Sequence, residues 1–208
     1  MSKPDPSPVS LVSQAGERAA ATPAPSLFIG RGSPRAMTAE PIPDEILFAL
    51  IEAARHAPSR HNSQPWRFAY ARRGEPDFAI FLACLSDGDR DWARNASALV
   101  MIASKAVFTL GDAAEKHVSR SASFDTGAAW ACLAMQAEHL GWTTRAIDDF
   151  DGDLARAASH APDSLKIEVI FAIGRRGDVS PPADERESPT PRKAPGDIAF
   201  AGGFPADC

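Results

Sequence analysis

Two polar stretches carrying the residue types of a binding site interrupt largely apolar surroundings. Arg31-Gly32-Ser33-Pro34-Arg35 sets two guanidiniums and a hydroxyl close together. Pro58-Ser59-Arg60-His61-Asn62-Ser63-Gln64-Pro65-Trp66 strings hydroxyls, planar amides and a further cation along a loop. A guanidinium is a permanently charged planar fork suited to phosphate, and amides can pair with the edge of a heteroaromatic ring. Together the two stretches offer a phosphate-bearing heteroaromatic cofactor its main contacts. The same residue types also cap loops, with Asn and Gln satisfying nearby backbone groups, so on the residues alone both readings stand.

Other chemistries fail on spacing. Ala172-Ile173-Gly174-Arg175-Arg176-Gly177 lacks the G-x-G step, and Pro181-Pro182 blocks the helix that a dinucleotide-binding turn must feed. There is no Walker loop and no G-x-S-x-G elbow. His56 and His61 are not spaced for one helical face, no Cys or Glu completes a zinc set around them, and all five histidines read as surface residues. Neither a metal site nor a catalytic side chain is assigned. Arg175/Arg176 and Arg192/Lys193 are further local cation pairs, each read by itself as solvated surface.

The elements that must position the two stretches fit one domain of 208 residues. Residues 1–26 are rich in Pro, Ser and Ala and read as a disordered tail, leaving 27–208 as the folded unit with order starting near Leu27-Phe28-Ile29. Pro43 to His56 reads as a helix with Pro43 at its first position and Leu47, Leu50, Ile51 and Ala54 as one apolar stripe. Trp66–Arg72 and Asp77–Leu85 read as two strands joined by a turn at Gly74-Glu75-Pro76. Ala98–Ser104 reads as a central strand. Phe124–Leu140, apolar nearly all round and stopped by Gly141, reads as a helix buried on most faces or between subunits. Thr143–Ile147, Gly152–Ser159 and Leu165–Ile173 read as strand, helix and strand.

A net charge of −5 argues against a general nucleic-acid binder. No signal-peptide core and no apolar run of membrane-spanning length occur. Cys84 and Cys132 sit in apolar runs and read as buried, reduced thiols, which with the unpaired Cys208 suits the cytoplasm.

RGSPR, the helix PDEILFALIEAARHAPS and then RHNSQPWRF resemble the N-terminal signature of the FMN-dependent nitroreductase family. The likeness continues at Trp92-Ala93-Arg94-Asn95-Ala96, Phe124-Asp125-Thr126-Gly127-Ala128-Ala129, Leu140-Gly141-Trp142, Phe150-Asp151, Ala172-Ile173-Gly174 and Pro191-Arg192-Lys193-Ala194-Pro195. It runs in the family's order from about residue 28 to the end.

The resemblance implies an α+β fold with a central, mostly antiparallel sheet wrapped by helices, in an intertwined homodimer with FMN at each side of the interface. Phe124–Leu140 would be the interface helix, and the segment around Ile198–Phe200 would reach the partner. Arg31 and Ser33 would contact the FMN phosphate and ribityl chain. Arg35 would lie near N1 and O2 of the ring, favouring the anionic reduced flavin. Pro58, Ser59 and Asn62 would come from the other subunit, Arg60 would be a further cofactor-binding residue, Gln64 would bond the pyrimidine edge, and Arg192 or Lys193 would complete the phosphate clamp. The implied reaction is ping-pong: hydride passes from NADH or NADPH through flavin N5 to a small electron-poor acceptor, a nitro compound or quinone.

Departures from the family pattern are local. Gly32 stands where a second basic residue is usual, Asp148-Asp149 where a Glu-Gly or Ala-Gly pair is common, and Asp89 where many relatives carry Asn. Asp148 and Asp149 would lie near N5 and retune the acceptor preference. Two alternatives are a dehalogenase or flavin-consuming member, which leaves only residues 105–122 for an added segment, and a flavin-binding module without turnover.

Overall fold

The computed structural model describes residues 24–110, 115–177 and 190–206. All but the end of the predicted N-terminal tail lies outside them, as does Cys208. The centre is a four-stranded sheet in the order β1-β2-β6-β5, formed by β1 (Trp66–Arg72), β2 (Ala98–Lys105), β5 (Thr143–Ile147) and β6 (Leu165–Gly174). Every pairing in it is antiparallel. β3 (Val107–Thr109) and β4 (Lys116–Val118) make a separate hairpin. Helices α1 (Ser26–Gly30), α2 (Asp44–Arg55), α3 (Pro76–Ala83), α4 (Asp87–Ala93), α5 (Ala122–His139) and α6 (Gly152–Ala158) complete the α+β fold.

The alternation of strand side chains divides the core into two layers. Val100, Ile102, Phe171 and Ile173 face Leu47, Leu50 and Ala54 of α2 and Ala129, Leu133 and Ala137 of α5. Leu99, Met101, Ile170 and Ala172 face Phe78 and Phe81 of α3 and Ala155 of α6. β2 is therefore buried on both faces, which is why its sequence shows no polar alternation. The register of β2 on β6 shifts between Ile102 and Ala103, and nearby Glu168 reaches Ser104 and Ser123.

The α2 stripe lies where its periodicity placed it, although Pro43 caps the helix rather than starting it. α5 begins two residues earlier than expected and ends at the left-handed Gly141 (φ 72°). Within one chain, Trp130, Ala131 and Cys132 are only half-buried, and Phe124 is 81% exposed. Cys84 is buried and Cys132 is not fully so.

The strand expected over Asp77–Leu85 is instead α3, followed by a bend into α4. Gly74 turns at φ 89°, the Glu75 carboxylate accepts the Arg72 backbone N–H at 2.9 Å, and Pro76 then starts the helix at a position that needs no N–H. Phe78, Phe81 and Leu85 fall three and four apart and reach the sheet from one face. A solidly apolar octet such as FAIFLACL has no period from which to choose strand or helix. Among the described residues no helix is long and apolar enough to cross a membrane.

Candidate functional site

The first polar stretch follows α1 and runs beside the exit of β6. Met37 and Arg176 form an antiparallel bridge, Thr38 N–H donates to Arg175 O at 3.1 Å, and Gly177 N–H donates to Ala36 O at 2.9 Å. A Cβ on Gly174 would lie 2.7 Å from Met37 Sδ, so the two segments need a glycine to approach this closely. Arg31 and Arg35 are half-buried, Ser33 is exposed, and Arg31 donates to Gly32 O at 2.9 Å.

Two arginines that the sequence did not assign to the site reach this loop, one from β5 and one from the segment just after β6. Arg145 of β5 donates to Ser33 O, and its guanidinium lies 5.4 Å from the centroid of the Trp92 ring. Trp92 in turn donates its indole N–H to Asp89 at 2.9 Å, so the Asp89 carboxylate is engaged within α4. The guanidinium of Arg176 sits over Gly32. Arg175, by contrast, is used structurally: it donates to Gly141 O at 2.9 Å, stacks on Trp142 at 4.6 Å and pairs with Glu40 at 3.5 Å. A lone Arg inside TTRAI carries no sequence signal, whereas Arg176 belongs to a visible cation pair.

The second stretch joins α2 to β1 and is held in an unusual backbone shape. His61 (φ 50°), Asn62 (φ 53°) and Gln64 (φ 45°) are all left-handed without being glycine. Such conformations cost on the order of 1 kcal/mol or more each outside glycine and persist only where neighbours impose them. Here Asp125, 5% exposed in the first turn of α5, accepts the backbone N–H of Arg60 at 3.0 Å and the hydroxyl of Ser121 at 3.1 Å. Ser59 Oγ accepts the N–H of Gln64 at 3.0 Å, and Gln64 Nε2 donates to Asn62 O at 3.2 Å. The His61 ring stacks on Phe108 of the β3–β4 hairpin at 6.0 Å. Pro58, Arg60 and Asn62 remain exposed, and Ser63 Oγ is buried without a protein hydrogen-bond partner.

The two stretches lie at opposite ends of the sheet. The 31–35 loop is beside Gly174, where β5 and β6 pair Thr143 with Gly174. The 58–64 loop is beside Trp66, which pairs with Ser104 at the far end of β2. Helix α5 spans the distance, with Asp125 on the second loop and Glu138 3.8 Å from where a Gly30 Cβ would stand. At ~1.5 Å per residue that stretch of helix is about 20 Å long. One chain thus brings Arg31, Gly32, Ser33 and Arg35 together with Arg145 and Arg176, and it holds Pro58, Ser59, Arg60, Asn62 and Gln64 apart from them.

Asp148 and Asp149 are exposed directly after β5, and Phe150 anchors the segment by bridging to Leu85. Arg192 and Lys193 are exposed and are not brought to the first loop within this chain; Arg192 donates to Thr190 O at 3.1 Å and Thr190 Oγ1 at 2.9 Å. All of 190–206 is exposed, including Ile198 and Phe204.

At the second-loop end, a cavity of about 350 Å³ is lined by Ser104, Ser119, Arg120, Ser123 and Lys166 among others. Glu168 lies beside these groups. Burial alone would raise its carboxyl pKa, but hydrogen bonds from Lys166 (2.7 Å), Ser104 (2.5 Å) and Ser123 (2.6 Å) outweigh that and hold it below the ordinary value.

The model of the nitroreductase family matches residues 29–175. No curated protein matches the chain. A solved structure described as an oxidoreductase containing FMN is 39% identical with a TM-score of 0.84, over 90% of this chain and 96% of that one. A nitroreductase family protein from Streptococcus pneumoniae TIGR4 shares the fold at 16% identity and a TM-score of 0.69, over 84% of this chain and 98% of that one. So does a protein from Desulfovibrio desulfuricans, assigned as a nitroreductase and solved with FMN, at 21% identity and a TM-score of 0.66 over 88% and 100% of the two chains.

Proposed function

The chain belongs to the nitroreductase family, and from that premise we propose that it is a homodimeric, cytoplasmic FMN-dependent oxidoreductase. The observation that carries this reading is the placement of the two polar loops at opposite ends of one sheet. The 31–35 loop offers cations and a hydroxyl, suited to a phosphate and a polyol chain. The 58–64 loop offers planar amides and the buried, unsatisfied Ser63 hydroxyl, suited to the edge of a ring. Each loop supplies half of a site, so a two-fold pair of chains completes two sites. The exposed Phe124 next to Asp125 and the exposed Ile198 and Phe204 give such a pair apolar surface to bury.

These residues fit FMN. Arg31 and Ser33, with Arg192 or Lys193, would hold its phosphate and ribityl chain, and Arg35 would set positive charge beside the pyrimidine side of the ring. Pro58, Ser59, Arg60, Asn62 and Gln64 of the second copy would close over the ring, shaped in advance by Asp125. Bound FMN supplies two-electron chemistry, from NADH or NADPH to a small electron-poor acceptor. The chain's own task is binding, orientation and charge placement.

The visible spectrum of the purified protein, with the released flavin identified, tests the cofactor, and light scattering tests the dimer. Anaerobic addition of NADH or NADPH then tests turnover. Bleaching of the flavin supports the oxidoreductase. A flavin that stays yellow supports a binding module without turnover, a reading favoured by the exposed carboxylates of Asp148 and Asp149.

A further inference from the structure

At position 32 a guanidinium from the segment just after β6 fills the space that a side chain would take. A Cβ on Gly32 would lie 2.5 Å from Nη2 of Arg176 and 3.6 Å from its Cζ. The main chain sets this placement: Arg176 is bridged to Met37, and the N–H of Gly177 is held by Ala36 O. Successive residues of an extended chain point to opposite sides. Arg175 accordingly turns to Gly141, Trp142 and Glu40, and Arg176 turns to the loop. Arg176 forms no ion pair among the described residues. Its guanidinium lies over Gly32, whose carbonyl oxygen accepts a hydrogen bond from Arg31 at 2.9 Å.

We propose that Arg176 is a phosphate-recognition residue of this site, supplying through space the charge that position 32 does not carry along the chain. The inference rests on the FMN reading. A phosphate dianion set beside Gly32 accepts charge-assisted bonds from guanidiniums on both sides of it. Riboflavin, which has the same ring and ribityl chain without the phosphate, gains nothing from Arg176.

The test compares Kd for FMN and for riboflavin, by quenching of flavin fluorescence, in the full chain and in Arg176→Ala and Gly32→Ala. Truncating the exposed Arg176 leaves the Met37 backbone bridge in place. Gly32 is outside the left-handed region, so alanine is accommodated once the guanidinium is displaced. Loss of one charged contact predicts FMN binding about 10- to 100-fold weaker in Arg176→Ala, riboflavin binding within about twofold of wild type, and a smaller loss of FMN preference in Gly32→Ala. Wild type that prefers FMN, with the same preference in Arg176→Ala, overturns the inference and leaves the cofactor reading standing. Wild type that binds neither flavin overturns both.

Discussion

The Asp125 carboxylate accepts the backbone N–H of Arg60 at 3.0 Å, joining the first turn of α5 to a loop 65 residues earlier in the chain. The loop it clamps contains the left-handed His61, Asn62 and Gln64. Removing the clamp takes the acceptor from a part-buried N–H and leaves the loop free to relax. Asp125→Ala is therefore expected to cost about 1–3 kcal/mol of stability, roughly 3–10 °C in Tm for a chain of this size. Flavin affinity falls with it. A calorimetric melt beside a flavin titration checks both, and unchanged flavin affinity in a folded Asp125→Ala would show that the loop's shape does not matter to binding.

Arg145 braces the other half of the site from β5, stacked on Trp92 and donating to Ser33 O. A charge-assisted bond of about 1.5–3 kcal/mol and a cation–π contact of about 0.5–1 kcal/mol hold Ser33 in place. Because only part of that is transmitted to a ligand, Arg145→Met is expected to weaken FMN binding about tenfold. Trp92→Phe keeps an aromatic face but loses the indole N–H to Asp89, and should fall between wild type and Arg145→Met. Equal affinities across the three proteins would remove Arg145 from the site.

How far the sequence reveals this arrangement depends on local period. The stripe of α2, the alternation in β1 and the apolar runs of β2 and β6 each specify their element, and the two polar loops are visible as such. The run around Phe78 and Phe81 does not specify its element, because an unbroken apolar stretch fits either period. Arg145 is one arginine in a short strand, and its partner Trp92 lies in another element, so only tertiary structure joins them. Gly32 looks like a lost contact in one dimension, and in three it is the space that admits Arg176. The separation of the loops follows from α2, which carries the chain from one end of the sheet to the other before β1 begins.

Glu168 makes stability depend on pH in a defined direction. Its folded pKa is lowered, so its contribution is fully present above the unfolded value of about 4.3 and is lost as pH falls through the lower folded value. Glu168→Gln keeps an amide oxygen that can accept from Ser104 and Ser123 but lacks, at every pH, the charge that pairs with Lys166 and strengthens those bonds. Its Tm should lie below that of wild type at neutral pH, and the gap should close as pH drops below about 4. A gap that stays constant into the acid range would mean that the Glu168 charge is not what those hydrogen bonds stabilise.

Asp148 and Asp149 follow β5 three and four residues after the arginine that braces Ser33, and both are exposed. On the proposed reading they put negative charge near a flavin that gains electrons, which opposes its reduction. Being solvated, each carboxylate acts through a high effective dielectric, and roughly 0.5–1 kcal/mol of screened Coulomb energy corresponds to about 10–20 mV for a two-electron couple. Asp149→Gly is expected to raise the flavin midpoint potential by that amount, with the shift shrinking as salt is added. Turnover with a low-potential acceptor should slow while turnover with a quinone is maintained, because an acceptor of higher potential retains its driving force. A potential unchanged at low salt, together with unchanged turnover on both acceptors, would leave the acidic pair without a role in electron transfer.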